Sequence, residues 1–153
     1  MGMRQFLLIL LGATVLAGCG TPGSPRGRVL DAALVEETPD GARIEFVVEL
    51  VNPRQEHYPL VEARYSLDVD GAGTFRFTEY PTEALPAQET QRLLLAGALP
   101  ATDLSGKTWQ VRGAVSYQPG GEFRQVLTDS GVPLPVIRFD GEGTLENVDA
   151  PTR

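Results

Sequence analysis

The chain has 153 residues, with one cysteine, one histidine and a formal net charge of −7 from 13 Lys plus Arg against 20 Asp plus Glu. That length fits one ordinary domain; a single cysteine excludes an intrachain disulfide, and the acidic balance argues against a nucleic-acid partner, whose phosphates call for cations. The 17 glycines and 12 prolines make up about 19% of the chain against roughly 12% in average usage, which points to a turn-rich β protein and stops short of a disordered composition.

Residues 1–18 read as an address. One cation, Arg4, precedes an apolar run at residues 6–17 (FLLILLGATVLA), and no acidic residue interrupts it. As a helix this run spans about 18 Å, too short for a hydrocarbon core of roughly 30 Å, so it is a secretory signal-peptide helix and not a permanent transmembrane segment. It ends in Leu16-Ala17-Gly18-Cys19, which resembles the lipobox of bacterial lipoproteins. The resemblance implies cleavage just before Cys19 once its thiol carries diacylglycerol. Small residues at Ala17 and Gly18 suit a protease that draws the chain extended into a narrow site, and a thiol is the nucleophile able to form the thioether. The mature chain would then be residues 19–153, 135 residues with 12 cationic side chains against 20 acidic ones, a net of −8. One acyl chain anchors only marginally; the two or three that the resemblance implies make a stable anchor. Gly20 follows the cysteine where Asp would signal inner-membrane retention, so resemblance to Gram-negative lipoproteins favours the outer membrane, facing the periplasm. The expected partner is the lipid bilayer, and the covalent lipid on Cys19 is the one non-protein group expected; no cofactor is.

Residues 19–28 read as a flexible tether, because Gly20 to Arg28 (GTPGSPRGR) lacks apolar periodicity and is rich in Gly and Pro. Nine such residues reach about 15 to 18 Å as a coil. Arg26 and Arg28 either touch anionic lipid or are solvated linker charges.

A single domain is expected over residues 29–148, built of short strands parted by turn signals. Residues 29–37 form a first strand whose inward face is either Leu30, Ala32 and Leu34 or Val29, Ala33 and Val35, ending at the turn Thr38-Pro39-Asp40-Gly41. Residues 43–51 alternate most clearly, with Ile44, Phe46, Val48 and Leu50 inward. Residues 61–69 place Val61, Ala63, Tyr65, Leu67 and Val69 inward, and the turn Asp70-Gly71-Ala72-Gly73 follows. Residues 74–80 alternate Phe75 and Phe77 with Arg76 and Thr78; residues 90–99 contain Leu93-Leu94-Leu95, apolar on both faces. Residues 107–118 put Trp109, Val111, Gly113, Val115 and Tyr117 on one face, residues 122–128 and 134–139 supply further strands, and residues 149–153 are a tail. Seven to eight short alternating strands predict an all-β, antiparallel, immunoglobulin-like or fibronectin-like β-sandwich. Trp109 lacks the flanking cysteine pair of antibody domains, so the architecture is expected without that family.

No reactive cluster is evident. Triad catalysis needs a base beside its nucleophile, whereas His57 is the one histidine and lies between Pro53 and Pro59 in a loop. A metal site would gather several His, Cys or carboxylates; Asp68-Val69-Asp70-Gly71 reads as a turn, because the twelfth position of such a loop falls in the following strand. Gly71 and Gly73 precede no helix whose N-terminus could hold a phosphate. Neither an enzyme nor a metal site is expected.

Several segments together look like the water-stress and hypersensitive-response (WHy) domain of the group 2 late embryogenesis abundant proteins. They are the strand entering Asn52-Pro53, the stretch from Tyr65 to the turn at Gly71, Leu85-Pro86 ahead of the apolar strand at Leu93 to Leu95, and Gly131-Val132-Pro133-Leu134-Pro135 before a closing strand. Arg54 stands where the family usually has a second Asn, and residues 74–80 match its glycine-rich stretch only in part. Asn52-Pro53 makes physical sense as a strand end, since Pro gives the ladder no N–H and holds Asn52 extended. The resemblance implies a β-sandwich with a role in desiccation or other water stress, exercised by association with membranes or macromolecules. The function expected is thus a membrane-anchored, non-catalytic protective or interaction module of the cell envelope. The alternatives are a carrier of lipid or another apolar ligand, suggested by Leu93 to Leu95, apolar on both faces, and by Phe75 and Phe77 lining a gap between the sheets, and an accessory subunit of an envelope complex that docks through a sheet edge or the outward Val47 and Val51.

Overall fold

The computed structural model describes residues 23–101, 103–121, 126 and 129–147. Among these residues nine strands run in chain order: β1 Arg26–Thr38, β2 Gly41–Val51, β3 Tyr58–Val69, β4 Gly73–Glu79, β5 Ala84–Leu85, β6 Thr90–Leu99, β7 Thr108–Tyr117, β8 Val136–Thr144 and β9 Glu146–Asn147. They form two sheets. One has the order β6-β2-β1-β9; the other has β4-β3-β7-β8, with β5 added on β3. Every pairing is antiparallel except the two-residue contact of β1 with β9.

The alternation in β2 explains the layering. Ile44, Phe46, Val48 and Leu50 are all buried while Arg43, Glu45, Val47 and Glu49 face outward, which is what one buried and one wet sheet face require. Ala63, Tyr65, Leu67 and Val69 of β3 and Trp109, Val111 and Val115 of β7 close the other side of the core. Phe46 joins the layers, meeting Tyr65 edge-on at 6.2 Å and Trp109 at 5.7 Å between ring centroids, and such aromatic pairs contribute about 0.5 to 1.5 kcal/mol beyond their burial. At one margin β1 crosses close over β8: a Cβ added at Gly141 would lie 2.6 Å from Cβ of Val29, so only glycine permits that approach.

Two local departures from regular alternation have one cause. A register shift between Val29 and Asp31 puts Val29 on the inner face before the bulge and Ala32 and Leu34 on it afterwards, so the two candidate faces of this strand are both used, in succession. A second shift between Leu60 and Glu62 makes Tyr58 and Leu60 inward and leaves Val61, expected in the core, half-buried. The extra residue of a bulge flips the phase of everything after it. The first strand also begins earlier than expected: Arg26, Gly27 and Arg28, read as tether, pair with Val51, Leu50 and Glu49. The strand expected at residues 122–128 lies mostly outside the described residues, and Val126, Asp129 and Ser130 are helical. The signal segment, Cys19 and the tail at 149–153 lie wholly outside them.

The sandwich has two unlike ends. At one are the start of β1, the β2–β3 loop, the β5–β6 loop and the long β7–β8 connection; at the other are the β1–β2, β3–β4 and β6–β7 turns.

Candidate functional site

Asn52 is the one buried polar side chain among the described residues, at 1% exposure. Its Nδ2 donates to the carbonyls of Glu56 at 2.7 Å and Pro86 at 2.9 Å, and its Oδ1 accepts from the Arg54 amide at 3.0 Å. Both amide protons and the oxygen are thus used, as burial demands. The backbone adds to this: Asn52 N–H donates to Glu89 O at 2.9 Å and Gln88 N–H to Arg54 O at 2.8 Å. Asn52, Pro53, Leu85 and Pro86, far apart in sequence, therefore meet in one knot that ties the β2–β3 loop to the approach to β6. Leu85 fills the floor beneath it, fully buried, with its strand paired to Tyr58.

Tyr65 lies elsewhere, and it bridges the sheets. Its hydroxyl lies within hydrogen-bond reach of the Glu79 carboxylate and, at 2.8 Å, of the Ala96 carbonyl. Glu79 Oε1 in turn accepts the Ala96 amide at 2.8 Å. Ala96 belongs to β6, an edge of the first sheet, so side chains from the second sheet cap backbone groups that an edge strand would otherwise offer to another chain. Burial first, and then the hydrogen bond and charge of Glu79, push the Tyr65 phenol well above its ordinary pKa of 10.0; the group stays protonated and keeps its donor. Gly71 turns β3 into β4 at φ 75°, a conformation that glycine adopts without cost. All six of these positions act on the backbone or the core.

Beside the Asn52 knot the same end of the sandwich opens into a cleft of about 460 Å³ lined by Arg54, Glu56, Tyr58, Tyr117 and three prolines, Pro119, Pro133 and Pro135. Tyr58 and Tyr117 lie against each other with ring centroids 4.9 Å apart. Burial, and then the neighbouring Glu56 carboxylate, raise the Tyr58 phenol above its ordinary pKa, with Arg54 opposing. His57 is exposed on the adjoining loop. Among the described residues no three His, Cys, Asp or Glu side chains are placed to share a metal ion. Phe77 stacks on Tyr65 at 5.1 Å and fills the space that a Cβ at Gly97 would need, 2.7 Å away; Leu93 and Leu95 are buried in the core while Leu94 points out. Phe75 and Phe77, expected to line a gap between the sheets, pack against the core. Sequence reasoning missed Glu79, which the period-two alternation places on the same face as Phe75 and Phe77, and the Tyr58–Tyr117 pair.

Two facing sheets, antiparallel apart from one short bridge and crossed by a tyrosine clasp, define a β-sandwich. The same fold is found in a candidate late embryogenesis abundant (LEA) protein, At2g46140.1, whose solution structure matches with a TM-score of 0.59 and 18% identity over 89% of this chain and 78% of that one. It is found also in AT1g01470 from Arabidopsis thaliana, with a TM-score of 0.55 and 15% identity over 87% of this chain and 88% of that one. No protein-family model matches the chain, and no curated protein does.

Proposed function

We propose that the protein is a lipid-anchored, non-catalytic module of the cell envelope with a WHy-like domain of the LEA type, serving tolerance of drying or osmotic stress. The observation that carries the stress reading is the fold shared with a candidate LEA protein over most of both chains. It is supported by the convergence of Asn52, Pro53, Leu85 and Pro86, four of the six positions on which the sequence resembles that family, into one structural knot. Anchoring rests on Leu16-Ala17-Gly18-Cys19, with the outer membrane as the expected site because Gly20 follows. A deletion strain should lose viability on drying and on osmotic shock relative to its parent; equal survival of the two would defeat the stress role.

A second reading has one observation in its favour. Leu94, 58% exposed, pairs with Val47 on the outer face of the first sheet, an apolar spot that an envelope partner could cover. Crosslinking in whole cells followed by copurification would then return one stoichiometric partner, and a Leu94→Lys variant would lose it.

A further inference from the structure

We propose that the tether end of the sandwich, with its Tyr58–Tyr117 cleft and the exposed Val132, is a docking surface for the lipid bilayer, and that the opposite end is held away from it. This rests on Cys19 being the acyl anchor.

The reach of the chain makes the first decision. Strand β1 starts at Arg26, whose partner is Val51 at the loop end of β2. The seven residue steps from Cys19 to Arg26 span at most about 25 Å fully extended and about 15 Å as a coil. Strand β2, with 11 residues, is about 35 Å long. The far turns therefore cannot turn down onto the membrane without lifting Arg26 beyond what the tether covers, whereas the near end is within reach in any tether conformation.

Surface chemistry makes the second. The near end presents Val132 at 50% exposure and a cleft whose open side is formed by half-buried Tyr117 and three prolines over the buried Tyr58; exposed apolar groups and an amphipathic aromatic ring are what settle at a headgroup boundary. Arg26, Arg28 and Arg54 stand there too, against Glu49, Glu56, Glu89 and Asp129. The far end carries Glu36, Glu37, Asp40, Asp68, Asp70 and Asp103, with Arg43 and Lys107 as counter-charges. Both ends are acidic, the far one more so; an anionic leaflet repels the far end more strongly than the near one, so the charge difference and the tether favour the same pose.

The test uses the full acylated chain in vesicles of phosphatidylethanolamine and phosphatidylglycerol, with p-benzoylphenylalanine incorporated at Val132 or, as the far-end control, at Asp40. After irradiation, mass spectrometry should find phospholipid adducts at position 132 at least tenfold above position 40. Flotation with the vesicles is scored in parallel against unacylated residues 19–153 carrying Cys19→Ala, which lack the apolar run at residues 6–17. Flotation of the acylated chain without adducts at 132, or with equal adducts at both positions, overturns the docking surface and leaves the anchor standing. A chain that does not float, or floats no better than that unacylated control, overturns both. Adducts of 132 to a second protein chain in place of lipid also overturn it.

Discussion

Asn52 shows what a family-like signature does when it is not chemistry. With three hydrogen bonds made by a side chain at 1% exposure, Asn52→Ala strands two carbonyls and an amide in a dry site, and each such group costs roughly 1 to 3 kcal/mol. Allowing for partial rehydration, Asn52→Ala should lower stability by about 3 kcal/mol in urea unfolding, whereas a loss under about 1 kcal/mol would show that the knot does not hold the loops. Tyr65 makes a second prediction, in pH. Its phenol is raised in the folded state above 10.0, so its contribution is complete below pH 10 and is lost as pH climbs toward the folded value, because the unfolded chain ionises first. Stability should fall above about pH 10, and Tyr65→Phe should flatten that slope while costing about 1 to 2 kcal/mol at pH 7; Tyr58, raised in the same direction, carries part of the remaining slope. These roles were legible only in outline. Asn52-Pro53 and Tyr65 could be singled out from sequence, but their partners Pro86, Glu79 and Ala96 are set by which strands come to lie together.

Within the strands, alternation gave the faces wherever a strand is regular and failed where a bulge resets the phase. Ile44 to Leu50 could be read directly, since β6 pairs with β2 without a shift and the extra residues at the shifts against β1 lie on β1 and not on β2. The first strand could not, because the shift at Val29/Asp31 is fixed by the partner strand and leaves no mark in its own residues. Likewise Val61 fits the pattern of the residues after it and is displaced by the shift before Glu62. The three leucines of β6 offer a sharp check: Leu95→Ala, at a core position 1% exposed, should cost about 3 kcal/mol, while Leu94→Lys should stay within about 0.5 kcal/mol. Equal losses would mean the register is wrong. Gly113 tests the sheet packing, since a Cβ there would sit 2.4 Å from Cζ of Phe139 and 2.8 Å from the Arg64 carbonyl. Gly113→Ala should therefore destabilise by about 2 kcal/mol, and a neutral result would mean that β3, β7 and β8 can part at little cost.

For the molecule as a whole, the fold class was the legible part. A β-sandwich follows from strand length and alternation, which are properties of the chain alone; the proposed address at residues 16–19 is a short linear segment whose reading rests on sequence and not on the fold. What the sandwich contacts is less legible, because it depends on surfaces that three loops assemble from distant segments: the Tyr58–Tyr117 cleft draws on residues from Arg54 to Pro135. The proposed anchor would give these surfaces a direction, since the mature chain it implies, with a net of −8, would otherwise be kept off anionic membranes by its own field. The decisive measurement is the intact mass of the chain extracted from membranes, compared with Cys19→Ala. The wild type should be a 135-residue chain beginning at Cys19 and carrying acyl groups, and the variant should remain as unacylated precursor. An unmodified wild-type chain, or one cut elsewhere, would contradict the anchored module at its root.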